Sequence, residues 1–315
     1  MNKKWSKRAI LCIFMLTAIF SILISVSYSK NKGKFVAIRY DKVAYSYDGI
    51  KWEEAIMSAE ISDESVCYGN GKFVVMCRDS NIAAYSTDGI KWKTTTMPSV
   101  EWWNSVCYGN GKFVAVTIDS DKAAYSTDGI KWKTTTMPSV NKWWSVCYGN
   151  GKFVAMGYND NKAAYSEDGI KWEEATTPSP EGWNSVCYGN GKFVMAALFS
   201  DKAAYSTDGI QWKTTTLPYE SLGHYVCYGN GKFVSVSAVG DQAAYSYDGI
   251  KWTNTIIPIT IDPWEAVWRG VCYGNGKFVV ICRDSNIAAY STDGIKWEIA
   301  TLPDKGWKAV CYGGD

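Results

Sequence analysis

The chain has 315 residues, with 33 Lys and Arg against 31 Asp and Glu and a formal net charge of +2. Four of these cations lie within the first eight residues, and without them the balance is 29 to 31. This is not the strongly basic footprint typical of nucleic-acid-binding proteins, and no nucleic-acid partner is expected. The 16 Trp, 21 Tyr and 28 Gly indicate a turn-rich, all-β chain that buries much aromatic surface.

The amino-terminal segment predicts export. Residues 1–8 carry four positive charges, and residues 9–29 carry none. This uncharged run is longer than a usual signal-peptide core, about 7–15 residues, and near the roughly 20 residues that span a bilayer. Residues 1–29 are therefore a signal peptide, cleaved after Ser27, or a retained membrane anchor. In both cases the rest is exported, either secreted or held by residues 9–29 at the outer side of the cytoplasmic membrane.

Two sequence elements recur along the remainder of the chain. The first, Val-Cys-Tyr-Gly-Asn-Gly-Lys-Phe-Val, starts at Val66, Val106, Val146, Val186, Val226 and Val271. The second, Tyr-Ser-x-Asp-Gly-Ile-x-Trp, ends at Trp52, Trp92, Trp132, Trp172, Trp212, Trp252 and Trp297. The spacing is 40 residues, except for 45 at the last step. A period of this length predicts a propeller or a solenoid.

Each repeat predicts four short antiparallel strands, a to d, which form one propeller blade. In the copy taken as the example these are Ser105–Gly109, Lys112–Thr117, Ala123–Thr127 and Ile130–Thr136. Asn-Gly joins a to b and Asp-Gly joins c to d, and both dipeptides favour the tight type I′ hairpin turn. Seven copies predict an all-β, seven-bladed β-propeller over residues 30–315.

The two ends of the repeat region complete each other. The first repeat lacks strand a and starts at Gly33, whereas the chain finishes with a strand a, Trp307–Gly313, that has no strands after it. We expect this carboxyl-terminal strand to pair with Lys34–Tyr40 and so close the first blade. Closure also removes exposed strand edges. We expect a monomer.

The Ser-x-Asp-Gly-Ile-Lys-Trp element resembles the Asp-box, or bacterial neuraminidase repeat, of exported bacterial and phage propellers. The likeness covers residues 33–315, although Asp and Gly are adjacent here and lie one residue apart in the standard box. In that family the box is a folding element on the c–d turn, remote from any active site. The resemblance therefore implies a structural role for Asp48, Asp88, Asp128, Asp168, Asp208, Asp248 and Asp293.

The meander topology divides the propeller into two faces. The turn face carries the repeated a–b and c–d turns, and the loop face carries the b–c and d–a connections, where the repeats differ. A varied face on a repetitive scaffold is the place to expect binding. Trp three residues before the repeated Val recurs five times and predicts packing between blades. Trp102, Trp144 and Trp264 do not recur at one position and are candidate ligand-binding residues, as is Tyr158 on a b–c tip.

A basic sector is the second binding candidate on the loop face. Arg39, Arg78 and Arg283 lie on b–c hairpins, and His224, Arg269 and Lys308 lie two residues before the repeated Val. That position holds residues of every chemical class, which predicts exposure at the mouth of the central channel. Because Arg binds carboxylates and phosphates through paired hydrogen bonds, an acidic sugar or polymer is a candidate ligand.

Catalysis is not expected from the sequence. Sialidases share the repeat, but their Arg-Ile-Pro motif is missing and no candidate nucleophile lies in a unique context. One His excludes a His-rich metal site, and neither a metal nor a cofactor is expected. Seven cysteines occupy one position on strand a and are interpreted as small, unpaired core residues.

The leading hypothesis is an exported, non-enzymatic binding or scaffold propeller that recognises a glycan or a cell-surface protein on its loop face. A sialidase-like carbohydrate-active enzyme and an assembly factor for a membrane complex remain the alternatives.

Overall fold

The computed structural model describes residues 33–57, 63–158 and 161–314, all of them in strands, turns or irregular segments. Over these ranges there is no helix that is both long and apolar enough to cross a membrane. The predicted signal peptide or anchor, residues 1–29, lies outside the described residues.

The strands are short and follow one another along the whole described chain. They begin with β1 Lys34–Arg39, β2 Lys42–Ser46, β3 Glu53–Ile56, β4 Asp63–Gly69, β5 Lys72–Cys77, β6 Ser80–Ser86, β7 Lys93–Gly109, β8 Lys112–Ile118, β9 Ser120–Ser126 and β10 Lys133–Asn141. They continue with β11 Trp143–Gly149, β12 Lys152–Gly157, β13 Lys162–Ser166, β14 Glu173–Thr176, β15 Trp183–Gly189, β16 Lys192–Ala197, β17 Ser200–Ser206 and β18 Lys213–Ser221. The last are β19 His224–Gly229, β20 Lys232–Ser237, β21 Gln242–Ser246, β22 Thr253–Ile256, β23 Trp268–Gly274, β24 Lys277–Cys282, β25 Ile287–Ser291, β26 Glu298–Thr301 and β27 Ala309–Gly313.

These strands form antiparallel sheets. Five sheets have four strands each, in the orders β27-β1-β2-β3, β11-β12-β13-β14, β15-β16-β17-β18, β19-β20-β21-β22 and β23-β24-β25-β26. One sheet has seven strands, from β4 to β10 in sequence order. It contains two sequence repeats, because the 17-residue strand β7 stays extended from the last strand of one repeat into the first strand of the next. The prediction of an all-β chain of four-stranded antiparallel units is confirmed.

The a–b turns have the predicted type I′ geometry. Asn110 and Gly111 have φ values of 45° and 72°, and the other Asn-Gly pairs have closely similar values. Both central positions of this turn need a positive φ, which Asn and Gly adopt at low cost. The Asn110 side chain also donates a hydrogen bond to the carbonyl of Glu167 in the c–d turn of the next repeat, at 3.3 Å.

The c–d turns are not type I′, and this prediction is wrong. Gly129 has a φ of 70°, but Asp128 is not in the positive-φ region. The Asp128 carboxylate instead accepts hydrogen bonds from the backbone N–H groups of Ile130 and Lys131, both at 2.8 Å. These side-chain bonds replace the ladder bonds of a two-residue hairpin, so strand d begins only at Lys133. Equivalent bonds occur at Asp48, Asp88, Asp168, Asp208, Asp248 and Asp293.

The hydrophobic core is divided among the spaces between neighbouring repeats. Strand b is apolar on both faces, as in Phe113-Val114-Ala115-Val116, and all four of these residues are fully buried. Each core cluster joins two consecutive repeats; Val74 and Met76, for example, pack with Phe113 and Trp103. The cluster that contains Ala37, Ile281 and Trp307 joins the last repeat to the first. Strand b is therefore held between two sheets, which explains its uninterrupted apolar sequence.

A close Gly–Tyr contact also links neighbouring repeats. A Cβ placed on Gly109 would lie 1.9 Å from the Tyr148 ring, so only glycine lets this ring pack against strand a. The same contact occurs from Gly69, Gly149, Gly189, Gly229, Gly274 and Gly313 to the tyrosine of the following repeat, and the last of them meets Tyr68 near the start of the chain.

The carboxyl-terminal strand pairs with the first strand, as the sequence predicts. Lys34 lies opposite Gly313, and Ile38 lies opposite Ala309. The end of β27 and the beginning of β1 therefore occupy the place where every other repeat has its Asn-Gly turn.

Candidate functional site

A bulge in the first strand of several repeats directs side chains toward a common pocket on the loop face. In β7 the ladder runs from Trp103 to Ser105 and leaves Asn104 out of register, and Trp144 and Asn184 are displaced in the same way in β11 and β15. An extra residue of this kind bends a strand and re-aims its side chains. The residue two places before the repeated Val consequently leaves the core-facing alternation of the strand.

His224 contradicts the exposure expected for this position. In β19 the register is unbroken, and His224 pairs with Ser237 just as Trp103 pairs with Thr117. Without the bulge, His224 takes the core position that Trp holds elsewhere and is 0% exposed. Its Nε2 lies 3.0 Å from the carbonyl oxygen of Ser200, and burial lowers the pKa of the imidazole to about 4. His224 is therefore a neutral core residue.

Five other residues at this position line a pocket, which we call the mouth pocket: Asn104, Trp144, Asn184, Arg269 and Lys308. Its volume is about 510 Å³, and its lining includes Arg78, Arg269, Arg283, Lys308, Trp102, Trp144, Asn104, Asn184 and Tyr225. The hydroxyls of Ser65, Ser105, Ser145 and Ser185 also line it. Such a volume suits a small ligand or one residue of a larger one.

Four cationic side chains and no carboxylate are present among the described residues that line the mouth pocket. Arg283 forms a paired hydrogen bond with Asp284 outside the lining, at 2.6 and 2.7 Å, and Arg78 lies 3.5 Å from Asp79. Arg269 donates to the neutral hydroxyl of Tyr225 at 2.9 Å. Asp79 and Asp284 therefore form ion pairs with two of the four cations.

Two tryptophans are held in fixed positions at the mouth pocket. The Arg78 guanidinium lies over the Trp102 ring, 4.2 Å from its centre. Trp144 stacks on Tyr158, with ring centres 5.0 Å apart, and donates from Nε1 to the side-chain oxygen of Asn184 at 3.0 Å. Asn184 donates in turn to the carbonyl of His224 at 2.7 Å and is itself 6% exposed, so the exposure expected for Asn184 is also not found.

Besides His224, three of the proposed ligand-binding residues lie outside the mouth pocket. Arg39 is paired with Asp304 at 2.7 Å and also donates to the carbonyl of Lys305. Trp264 is 74% exposed and lines a second cavity, the rim pocket, together with Phe199, Glu220 and Leu222. Tyr158 supports Trp144 from behind without lining the mouth pocket.

The recurring Trp and Cys residues are structural. Trp103, Trp143, Trp183, Trp268 and Trp307 are 0% exposed, which confirms the predicted packing role. Cys67 lies opposite Val74, and the cysteines in the described ranges are free. Burial raises the pKa of the seven thiols on strand a, and raises it well above the ordinary value at Cys107 and Cys147, so these seven stay protonated. No three His, Cys, Asp or Glu side chains in the described part of the chain could hold a metal ion together.

The fold places the chain in the β-propeller class. Virginiamycin B lyase from Staphylococcus aureus is similar with a TM-score of 0.70 and 13% identity, over 86% of this chain and 89% of that one. A streptogramin B lyase has a TM-score of 0.70 and 11% identity, over 85% and 88% of the two chains. YCF48 bound to D1 peptide has a TM-score of 0.60 and 12% identity, over 85% and 84%. No protein-family model and no curated protein sequence matches this chain.

These comparisons correct one expectation from the sequence. The prediction that the chain is not an enzyme is contradicted, because structures of this fold include a lyase. Regular repeats and a repeated turn face therefore do not argue against catalysis on the loop face. At 11–13% identity the likeness itself establishes the fold alone.

Sequence reasoning missed three groups of residues. Tyr225 lies directly before the repeated Val, at the position where Ser65, Ser105, Ser145 and Ser185 line the mouth pocket in other repeats, and the serines belong to the repeated strand a. Phe199, Glu220 and Leu222 of the rim pocket also went unnoticed. One signal for them was present, since Phe199 takes the b–c tip position that Asp79 and Asp119 hold in other repeats.

Proposed function

We propose that the repeats form seven blades of one closed ring. The first strands of consecutive repeats contact one another in the order β4, β7, β11, β15, β19, β23 and β27, and β27 also contacts β4. The core clusters and the Gly–Tyr contacts follow the same order and likewise pass from the last repeat to the first. In this arrangement the seven-stranded sheet is two blades joined through β7.

We propose that the protein is an exported recognition propeller that binds an acidic glycan in the mouth pocket. The observation that carries this proposal is the set of four cationic side chains, with no carboxylate among the described residues that line the pocket. Arg and Lys bind the carboxylate or phosphate of such a ligand through charge-assisted hydrogen bonds. Trp102 and Trp144 are half-buried and offer apolar ring surface to the sugar.

Export is part of the same proposal. Four cationic residues followed by the uncharged residues 9–29 support a signal peptide or an anchor. An outer location would place the mouth pocket among cell-surface and extracellular polymers.

A glycan array tests the binding proposal. The protein is applied to sialylated, uronic-acid-containing and phosphorylated glycans, with the matching neutral glycans on the same surface. We expect binding to the acidic members, weakened by added salt because the interaction is electrostatic. The bound glycans are then tested as substrates, and a cleaved product would make the mouth pocket an active site.

Two arginines provide matched variants for this experiment. Arg78→Ala removes a cation of the mouth pocket, and Arg39→Ala removes one that is paired with Asp304 outside it. We expect loss of about 1.5–3 kcal/mol in binding for Arg78→Ala, the range for a hydrogen bond to a charged group, and no change for Arg39→Ala. Equal binding of acidic and neutral glycans, or equal effects of the two substitutions, would overturn the proposal.

An acidic protein segment is the second candidate ligand. It is favoured by one observation, the similarity in fold to YCF48, a propeller solved with a peptide bound. A peptide array with acidic and neutral versions of each segment separates this candidate from the glycan. Binding to peptides and not to glycans would assign the mouth pocket to a protein partner.

A further inference from the structure

The rim pocket is separate from the mouth pocket and has a different chemical character. Its volume is about 470 Å³, within the usual range for small-molecule sites, and most of its lining is apolar. None of its lining residues belongs to the mouth pocket. Phe199, Leu222 and Trp264 are 70%, 47% and 74% exposed, so three large apolar side chains meet around one cavity.

One wall of the rim pocket is built by the longest connection between repeats. The step from the sixth to the seventh repeat is 45 residues instead of 40, and the extra length includes Pro263-Trp264. The segment is an ordered turn, because the Asp262 carboxylate accepts from the N–H of Trp264 at 2.8 Å and the Asp262 carbonyl accepts from the N–H of Glu265 at 2.9 Å. The backbone of Trp264 is therefore held in place, while its ring is exposed to solvent.

The opposite wall depends on an unfavourable backbone conformation. Phe199 has a φ of 53°, in the left-handed region, where bulky residues are rare. Asp79 and Asp119 have φ values of 52° and 58° at the equivalent tips, and Asp tolerates this region better. The repeat therefore folds with Asp at this tip, and the Phe199 ring, which is not required for folding, lines the cavity.

The polar groups of the rim pocket are almost all engaged. The hydroxyl oxygens of Ser221 and Ser237 lie 2.5 Å apart, and each also lies within hydrogen-bond distance of a backbone carbonyl, so both hydroxyl protons are used within the pocket wall. Gln242 donates to Asp241 at 2.7 Å. A sugar in this cavity would leave most of its hydroxyl groups without partners, which is costly.

Glu220 is the exception among the polar groups. It is the only ionisable residue in the described lining of the rim pocket, and within the described ranges it makes no hydrogen bond or ion pair. The pocket is therefore lined by one exposed carboxylate and by the two aromatic residues Phe199 and Trp264. Aromatic faces attract cations, and they attract weakly hydrated, methylated ammonium groups in particular.

We propose that the rim pocket binds a quaternary ammonium group, of the kind found in choline. The Trp264 and Phe199 rings contact the methyl groups, and the Glu220 carboxylate balances their shared positive charge. Such a ligand needs no hydrogen bonds from the pocket, in agreement with the engaged serines and Gln242. This site is independent of the glycan proposed for the mouth pocket.

The test is a titration of the full chain with choline, in which binding is measured by ligand-observed NMR. The comparison ligand is 3,3-dimethylbutan-1-ol, which has the shape of choline without its charge. We expect choline to bind about 10-fold more tightly, the factor that corresponds to a cation–π and carboxylate contribution of ~1.4 kcal/mol. Equal binding of the two ligands, or no binding of choline, would overturn the proposal.

Three variants locate the site. Trp264→Ala should weaken choline binding about 10-fold, and Glu220→Gln should weaken choline binding several-fold while leaving the neutral alcohol unaffected. Tyr247→Ala is the control, since Tyr247 is a comparably exposed aromatic residue, at 61%, outside the rim pocket. Unchanged choline affinity in both pocket variants would contradict the assignment.

A further arm identifies the source of the group. Vesicles of phosphatidylcholine are compared with vesicles of phosphatidylglycerol and with free choline. Binding of free choline together with sedimentation on phosphatidylcholine but not phosphatidylglycerol vesicles indicates a lipid headgroup, and binding of free choline without sedimentation indicates a soluble ligand.

Discussion

His224 shows how one backbone detail sets the chemistry of a single residue. Because β19 lacks the bulge, the imidazole lies in the core, and burial lowers its pKa to about 4. In the unfolded chain the same group titrates near its ordinary pKa of about 6.5. The unfolded state therefore binds the proton first as the pH falls, and stability is lost in this window.

The prediction concerns stability between pH 6.5 and 4. We expect His224 to contribute stability that is fully present above about pH 6.5 and falls by about 3 kcal/mol as the pH approaches 4. Urea unfolding at several pH values measures this. His224→Trp places at this core position the residue that five other repeats have there. It should make the free energy of unfolding less dependent on pH between 6.5 and 4. A wild-type protein equally stable at pH 7 and pH 4.5 would contradict the prediction.

The c–d turn carboxylates act in a different pH range. Partial burial alone would raise the pKa of Asp128, but the hydrogen bonds from the N–H groups of Lys131 and Ile130 lower it below its ordinary value. Its contribution is therefore present above about pH 4 and is lost only at lower pH. The effect of His224 can thus be measured separately.

At the scale of the strands, the Gly–Tyr contacts fix the distance between neighbouring first strands. Gly109→Ala forces the Tyr148 ring to move within a packed interface, whereas Gly111 has open space but a φ of 72°. We expect Gly109→Ala to cost about 1–3 kcal/mol from overpacking, and more than Gly111→Ala. Chemical denaturation of the two variants checks this order.

A double substitution separates the ring contact from other effects. If the clash is with Tyr148, Gly109→Ala should cost less when Tyr148 is already Ala than it does alone. Additive effects of the two substitutions would show that Gly109 is needed for another reason.

Several elements could be predicted because each depends on local chemistry. The continuous apolar run of strand b, the Asn-Gly turns and the buried Trp all follow from residue type and spacing. Other features depend on geometry that residue types do not reveal. The missing bulge at His224 reverses which side chain faces the core, and the bonds to Asp128 lengthen a turn that its dipeptide predicts to be tight. The rim pocket depends on an inserted turn and on a strained Phe199. Each occurs in one repeat only, so no repeated pattern indicates either of them.

At the scale of the whole molecule, the proposed ring depends on its last strand. A chain that ends before Trp307 would leave one side of β1 unpaired and remove a fully buried indole, a change that alone costs about 3–5 kcal/mol. We expect this truncation to lower the melting temperature of the entire protein in a single transition. Removal of residues 314–315, which follow β27, is the control.

The outcome distinguishes a ring from an open stack of sheets. In an open stack, loss of the terminal strand would affect mainly the first sheet and leave the others intact. If the protein truncated before Trp307 melts like the full-length chain, the closed ring is wrong.

The position of the two ends of the repeat region has one more consequence. Lys34 lies opposite Gly313, at the place where every other repeat has an Asn-Gly turn. In the proposed ring, one of seven equivalent positions thus lacks its hairpin, and the repeats would pack in the same cyclic order whichever of them were encoded first. A circularly permuted gene that joined these two ends and opened another Asn-Gly turn would encode the same arrangement of side chains around both pockets.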